Sequence, residues 1–155
     1  MSRIDTRLAE LGITLPAAPA PAANYVPFVW TGNMLWISGQ ISNSADGLIK
    51  GKLGADMDVA AGAAAARACG LSIIAQAKAA CGGDLDKVAR VVKLVGFVNS
   101  TADFVDQPKV INGASDLMVE VFGDAGRHAR SAVSAVSLPL GVAVEIEAVI
   151  ELVAS

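Results

Sequence analysis

From Val142 to Leu152 every even-numbered residue is apolar: Val142, Val144, Ile146, Ala148, Ile150 and Leu152. Glu145, Glu147 and Glu151 all fall on odd numbers. Side chains on a strand alternate between faces, so this pattern predicts a strand with one face in a core and the glutamates on the other. A sheet with one such face must have that face covered, and the covering layer decides the fold class.

The cover is legible in two helical segments. In "DVAAGAAAARACGLSIIAQAKAACGG", strong helix formers follow Asp56 and Asp58 and end at Gly82-Gly83. Ala66, Cys69, Ile73, Ala77 and Ala80 recur at three-and-four spacing, which predicts the sheet-facing stripe. Arg67 and Lys78 share the opposite, wet face. A second helix is expected from near Asp106 or Gln107, with Pro108 in its first turn and Gly123 just past its end.

Around these lie the strands. Two apolar runs, residues 25–31 and 34–41, flank Gly32-Asn33, a two-residue hairpin turn. Pro27 assigns the first run to a sheet edge or a bulge. "RVVKLVGFVNS" reads as a further strand, and one short strand is expected near residues 48–53. Before them all, "SRIDTRLAELG" predicts a short amphipathic helix, followed by a Pro- and Ala-rich extended arm. The reading is a single α+β domain over residues 1–155, of which residues 1–24 are the helix and arm. Its mostly antiparallel sheet carries two main helices on one face.

Composition argues against several classes of function. A net charge of −3 with scattered Lys and Arg gives no footprint for a polyanion, which argues against nucleic acid as a partner. Residues 11–45 carry no charge, but Pro16, Pro19, Pro21 and Pro27 interrupt them, so no membrane span is expected there. Asp5 and Glu10 stand where a signal peptide would be apolar, and a cytoplasmic protein is expected. Cys69 and Cys81 are twelve residues apart on one predicted helix, about 18 Å, too far for a disulfide. One histidine and two separated cysteines provide no metal site.

The last two apolar runs, joined by a loop over residues 137–141, are expected to form a hairpin. It would bring Arg130 level with residues near 148, give or take two, and so beside the glutamates. An ion pair and a functional site explain that proximity equally well.

"TGNMLWISGQI", "HARSAV" and "LPLGVAVEIEAVI" resemble the signature segments of the RidA family, also named YjgF or L-PSP endoribonuclease-like. The likeness runs in order from about Tyr25 to Val153, with the helix and arm before it an extension. It implies a chorismate-mutase-like fold, and a homotrimer with clefts between subunits. The activity implied is hydrolysis of reactive 2-imino or enamino acids to 2-oxo acids and ammonia, with no metal or organic cofactor.

Carried over by position, Arg130 matches the arginine that binds the substrate carboxylate, and Glu145 the glutamate beside the attacking water. Tyr25 matches an aromatic wall, Ser38 and Gly39 the "SGQ" turn, and Asn112 an asparagine on the second helix. Ala132 stands where the family often has a cysteine, and Arg127-His128-Ala129 replaces a common Phe-Pro-Ala lead-in. The expectation for His128 is a surface or packing role. Two other functions stay open: an endoribonuclease of the L-PSP kind, and a non-catalytic binder of small carboxylate metabolites.

Overall fold

The computed structural model describes residues 1–21 and 23–154; Ala22, within the arm, and Ser155 lie outside the described residues. Helix α1 (Arg3–Glu10) starts at a capping box, in which Ser2 Oγ accepts from the Asp5 amide at 3.0 Å and the Asp5 carboxylate accepts from the Ser2 amide. A distant carboxylate completes this end: Asp86 accepts from the amides of Arg3 and Ile4 at 2.9 and 3.0 Å. Those two bonds hold the Asp86 carboxyl below its usual range. Ile4 and Leu8 are buried in the core, so the N-terminal helix is docked.

After the arm come β1 (Phe28–Thr31) and β2 (Met34–Ile41), paired across the Gly32-Asn33 turn. Pro27 stays outside β1, which is an edge strand as its position implied. A separate two-stranded hairpin, β3 (Asn43–Ser44) and β4 (Gly47–Leu48), takes the place of the single short strand expected near 48–53. Helix α2 (Val59–Ala80) begins at Asp58, whose carboxylate caps the Ala61 amide at 2.8 Å. Then follow β5 (Val88–Asn99), α3 (Gln107–Phe122), β6 (Ala129–Ala135) and β7 (Val144–Leu152).

The five-stranded sheet has the order β1-β2-β7-β5-β6, antiparallel throughout except for the parallel pair β5·β6. This corrects one expectation: β6 and β7 are not a hairpin. A helix of 16 residues separates β5 from β6, so these strands form a β-α-β unit and lie parallel, and β7 enters on the other side of β5. Arg130 is nonetheless level with Ala148, because both are in register with Leu94 on the strand between them.

Helices α2 and α3 cover one face of the sheet. The even residues of β7 face them, as the alternation required, together with Leu35, Ile37, Val91, Leu94 and Val98. Each fully buried leucine or isoleucine here contributes about 1.5–3 kcal/mol. Cys69 lies against the sheet, its thiol donating to the Val144 carbonyl at 3.4 Å, and both cysteines are free and buried. By length and composition α2 is apolar enough to cross a membrane, yet more than half of its most apolar stretch is buried inside this domain.

Among the described residues, no helix covers the other sheet face. Val29 and Trp36, paired side by side on β1 and β2, are 53% and 51% exposed, and Val133 on β6 is also exposed.

Candidate functional site

The expected site residues divide into two groups on opposite faces of the sheet. The first surrounds Glu145. Between Ile37 and Gln40, β2 carries one residue more than β7 opposite it, a bulge that frees the Ser38 carbonyl from the ladder. Gln40 accepts the consequence: its amide nitrogen donates to that carbonyl at 2.8 Å. Gly39 then lies flat beneath the Glu145 side chain, where a Cβ would collide with the carboxylate.

Above them is a cavity of about 370 Å³, whose lining includes Pro19, Pro21, Tyr25, Gly39, Leu140 and Glu145. Among the described residues Glu145 is the one charged residue in its lining. Among the described residues no hydrogen-bond donor reaches the Glu145 carboxylate. Burial, and after it the neighbouring Glu147 carboxylate, push its pKa above the usual 4.5. Ser38 does not line this cavity. Its hydroxyl donates to the Val26 carbonyl at 2.8 Å and its amide to Pro27, which fastens the segment that carries Tyr25.

The arm forms the opposite wall, and two glutamines tie it down. Gln76 on α2 is 1% exposed and donates from Nε2 to the Pro19 carbonyl at 2.7 Å. The same nitrogen lies 3.4 Å from Gln40 Oε1, and Gln40 is itself only 7% exposed. A chain of amides thus runs from the arm through the core to the bulge. Sequence reasoning missed this wall and its tether. The available signal was Gln76, a polar residue set among Ile73, Ile74 and Ala77.

The second group surrounds Arg130 on edge strand β6. Its side chain turns to the helix-covered face, where Nη1 donates to Ser115 Oγ at 3.0 Å and Nη2 to the Pro108 carbonyl at 3.3 Å. Asn112 lies on the same stripe of α3, four residues after Pro108 and three before Ser115, and is exposed. Ala132, two residues along β6 on the Arg130 side, packs against the core. Glu145 lies on the uncovered face of β7, with β5 between it and β6. Two strand spacings, about 9–10 Å, together with the sheet itself separate the two groups within one chain.

The sequence-expected neighbours Arg130 and Glu145 therefore do not meet in one subunit. His128, expected at the surface or in packing, is hydrogen-bonded on both ring nitrogens, to Ser115 and to the Gly126 carbonyl. Among the described residues, no three His, Cys, Asp or Glu side chains gather where they could hold a metal ion.

Comparison with known proteins gives consistent matches over this whole arrangement. The family model for YjgF/chorismate mutase-like proteins, whose description refers to endoribonuclease, matches residues 5–152. Protein TCP17 of Trypanosoma cruzi is 53% identical over 152 residues, covering 97% of this chain and 94% of that protein. The crystal structure of Atu1372 from Agrobacterium tumefaciens is 50% identical with a TM-score of 0.90, covering 97% of this chain and 92% of its own. RidA from an Antarctic Psychrobacter is 26% identical with a TM-score of 0.62, covering 90% of this chain and 99% of that one.

Proposed function

The chain belongs to the YjgF/chorismate mutase-like family, and on that premise we propose that it hydrolyses reactive 2-imino acids to 2-oxo acids and ammonia. The observation that carries this reading is the Glu145 carboxylate. It is half-desolvated, free of hydrogen-bond donors among the described residues, and aimed at a cavity whose other described lining residues are uncharged. A carboxylate so placed, with its proton affinity raised, suits both halves of an imine hydrolysis.

In the first half, Glu145 takes a proton from water as the oxygen bonds to the carbon of the protonated imine, giving a neutral carbinolamine. In the second, it returns that proton to the nitrogen, the C–N bond breaks as the hydroxyl gives up its proton to solvent, and ammonia leaves the 2-oxo acid behind. Arg130 has the chemistry to hold the substrate carboxylate through two parallel charge-assisted bonds, which fixes the imine carbon against the water. Two of its five N–H groups are engaged by Ser115 and Pro108, which leaves three from which the substrate's two bonds can be made.

Since Arg130 and Glu145 face opposite sides of one sheet, the reading requires that Arg130 of a second copy complete each Glu145 cavity. The uncovered apolar face bearing Val29, Trp36 and Val133 supports an assembly of copies, for which a homotrimer is the proposed form. Cleavage of RNA is the weaker reading, because a chain of net charge −3 with scattered Lys and Arg provides no basic track for a polyanion beyond the cavity.

The test supplies imines in situ with an amino-acid oxidase and follows release of ammonia and 2-oxo acid. The protein should accelerate release, Glu145→Gln should cut the rate by about 10²–10⁴-fold, and Arg130→Ala should cut kcat/KM by roughly a hundredfold or more. No acceleration across a panel of imino acids rejects the proposal. Carboxylate binding without turnover would make the protein a metabolite binder instead.

A further inference from the structure

Arg130 stands on an edge strand with a long side chain of about 2 kcal/mol rotamer entropy. A guanidinium that must meet a carboxylate along two parallel bonds cannot be left to wander. The side chains around it form one directed chain of hydrogen bonds. His128 Nδ1 lies 2.6 Å from the Gly126 carbonyl, which can only accept, so the ring proton is on Nδ1. Nε2 is then an acceptor, and the partner it has, at 2.9 Å, is the Ser115 hydroxyl. With its proton directed to His128, Ser115 presents its lone pairs to Arg130 Nη1 at 3.0 Å.

The far end of this chain is closely packed. Gly126 is buried, and its backbone lies so close against α3 that a Cβ there would run into the Met118 carbonyl. The near end is reinforced by Pro108, whose carbonyl receives Nη2 from the same helix. His128 and Arg130 are two residues apart, so strand alternation puts both side chains on the α3 side.

We propose that Ser115 and His128 are positioning residues, whose ordered hydrogen bonds from Gly126 to Arg130 aim the guanidinium at the substrate carboxylate. This inference rests on the reading of Arg130 as the carboxylate-gripping group. It gives His128 a task other than packing: it sets the direction of the Ser115 proton.

The experiment uses the full chain and two readouts: calorimetric binding of 2-oxobutyrate, a carboxylate of the product class, and steady-state imine hydrolysis. Ser115→Ala and His128→Ala should each weaken 2-oxobutyrate binding and raise KM about three- to tenfold, with kcat within about twofold. His128→Gln, whose amide oxygen can accept from Ser115, should recover most of the affinity, whereas the shorter His128→Asn should not. Ser115→Thr keeps the hydroxyl and should bind as the parent does. Ser115→Cys, close to isosteric but a weak acceptor, should lose affinity even if Ser115→Ala fails to fold.

The inference is overturned if Arg130→Ala abolishes binding while Ser115→Cys and His128→Ala leave affinity and KM unchanged; the functional reading then stands alone. If Arg130→Ala binds and turns over like the parent, the functional reading falls and takes this inference with it.

Discussion

Glu145 and Arg130 are held in opposite ways. Glu145 is placed by backbone and packing: a bulge, a glycine beneath it, prolines and Tyr25 around it, and no hydrogen bond from a described residue to the carboxylate itself. Arg130 is placed by side-chain hydrogen bonds at the edge of the sheet, with Ser115 and Pro108 as its acceptors. The difference follows from what each group is asked to do. A base works through its proton affinity, which desolvation raises and donors would lower again. A carboxylate grip works through direction, which hydrogen bonds supply and burial does not.

The comparison can be broken most forcefully at Gly39. In Gly39→Ala the new Cβ would occupy the space of the Glu145 carboxylate and displace it. Kcat/KM for imine hydrolysis should fall by about a hundredfold, since misplacement of a reacting group by about 1 Å has that scale of effect. Circular dichroism should show the fold intact. A variant with normal activity would mean that the carboxylate position is not set by the backbone beneath it.

A smaller effect is expected at the tether of the cavity wall. Gln76→Leu leaves Gln40 Oε1 and the Pro19 carbonyl without their donor. Loss of buried hydrogen bonds of this kind costs about 1–3 kcal/mol. The melting temperature should drop and hydrogen exchange should quicken in residues 13–24 ahead of the rest of the chain. Exchange that speeds up uniformly would show that Gln76 supports the core and not the arm.

The smallest effect, and the sharpest test of the contrast, is the pH dependence of Glu145. Folding raises its pKa above 4.5, so the folded chain binds more protons than the unfolded one between that value and the raised one. This contribution to stability is full below 4.5 and is lost as pH rises through the raised value. Glu145→Gln should therefore melt slightly above the parent at pH 7, and the gap should close in acid. The acid limb of the parent's kcat/KM profile should sit above the ordinary carboxylate range. A gap that widens in acid would contradict desolvation as the cause.

How much of this was legible depended on the range of the signal. The alternation from Val142 to Leu152 specified the buried face of β7, and the Asp58 cap and Gly82-Gly83 bounded α2 correctly within a residue or two. Period-two patterns, however, say which way side chains point and not which strand lies alongside. The loop at 137–141 invited a hairpin, whereas the strand-helix-strand order before it demanded a crossover, and the crossover won. The motifs identified Arg130 and Glu145, but their separation is a property of strand order, which no local segment contains. Likewise Ser115 and His128 are 13 residues apart and meet because α3 returns antiparallel to β6. Arg67 and Lys78, expected on a wet face, are partly exposed there, and each has an ion-pair partner on a neighbouring helix, Glu120 on α3 and Asp5 on α1, which no local pattern could supply.

The docking of α1 has a consequence for how such a cavity can change. Among its described residues the arm is held by Asp86 and the core at the helix, by Ile13 and Leu15 against the core, by Gln76 at Pro19, and by Ser38 at Val26 and Pro27. Between these clamps its length and composition are free of the sheet's register. An insertion or a proline exchanged there reshapes the mouth over Glu145 while every strand keeps its partners. The scaffold and the wall can thus vary separately, and the N-terminal segment is where a new ligand shape can be accommodated without rebuilding the fold.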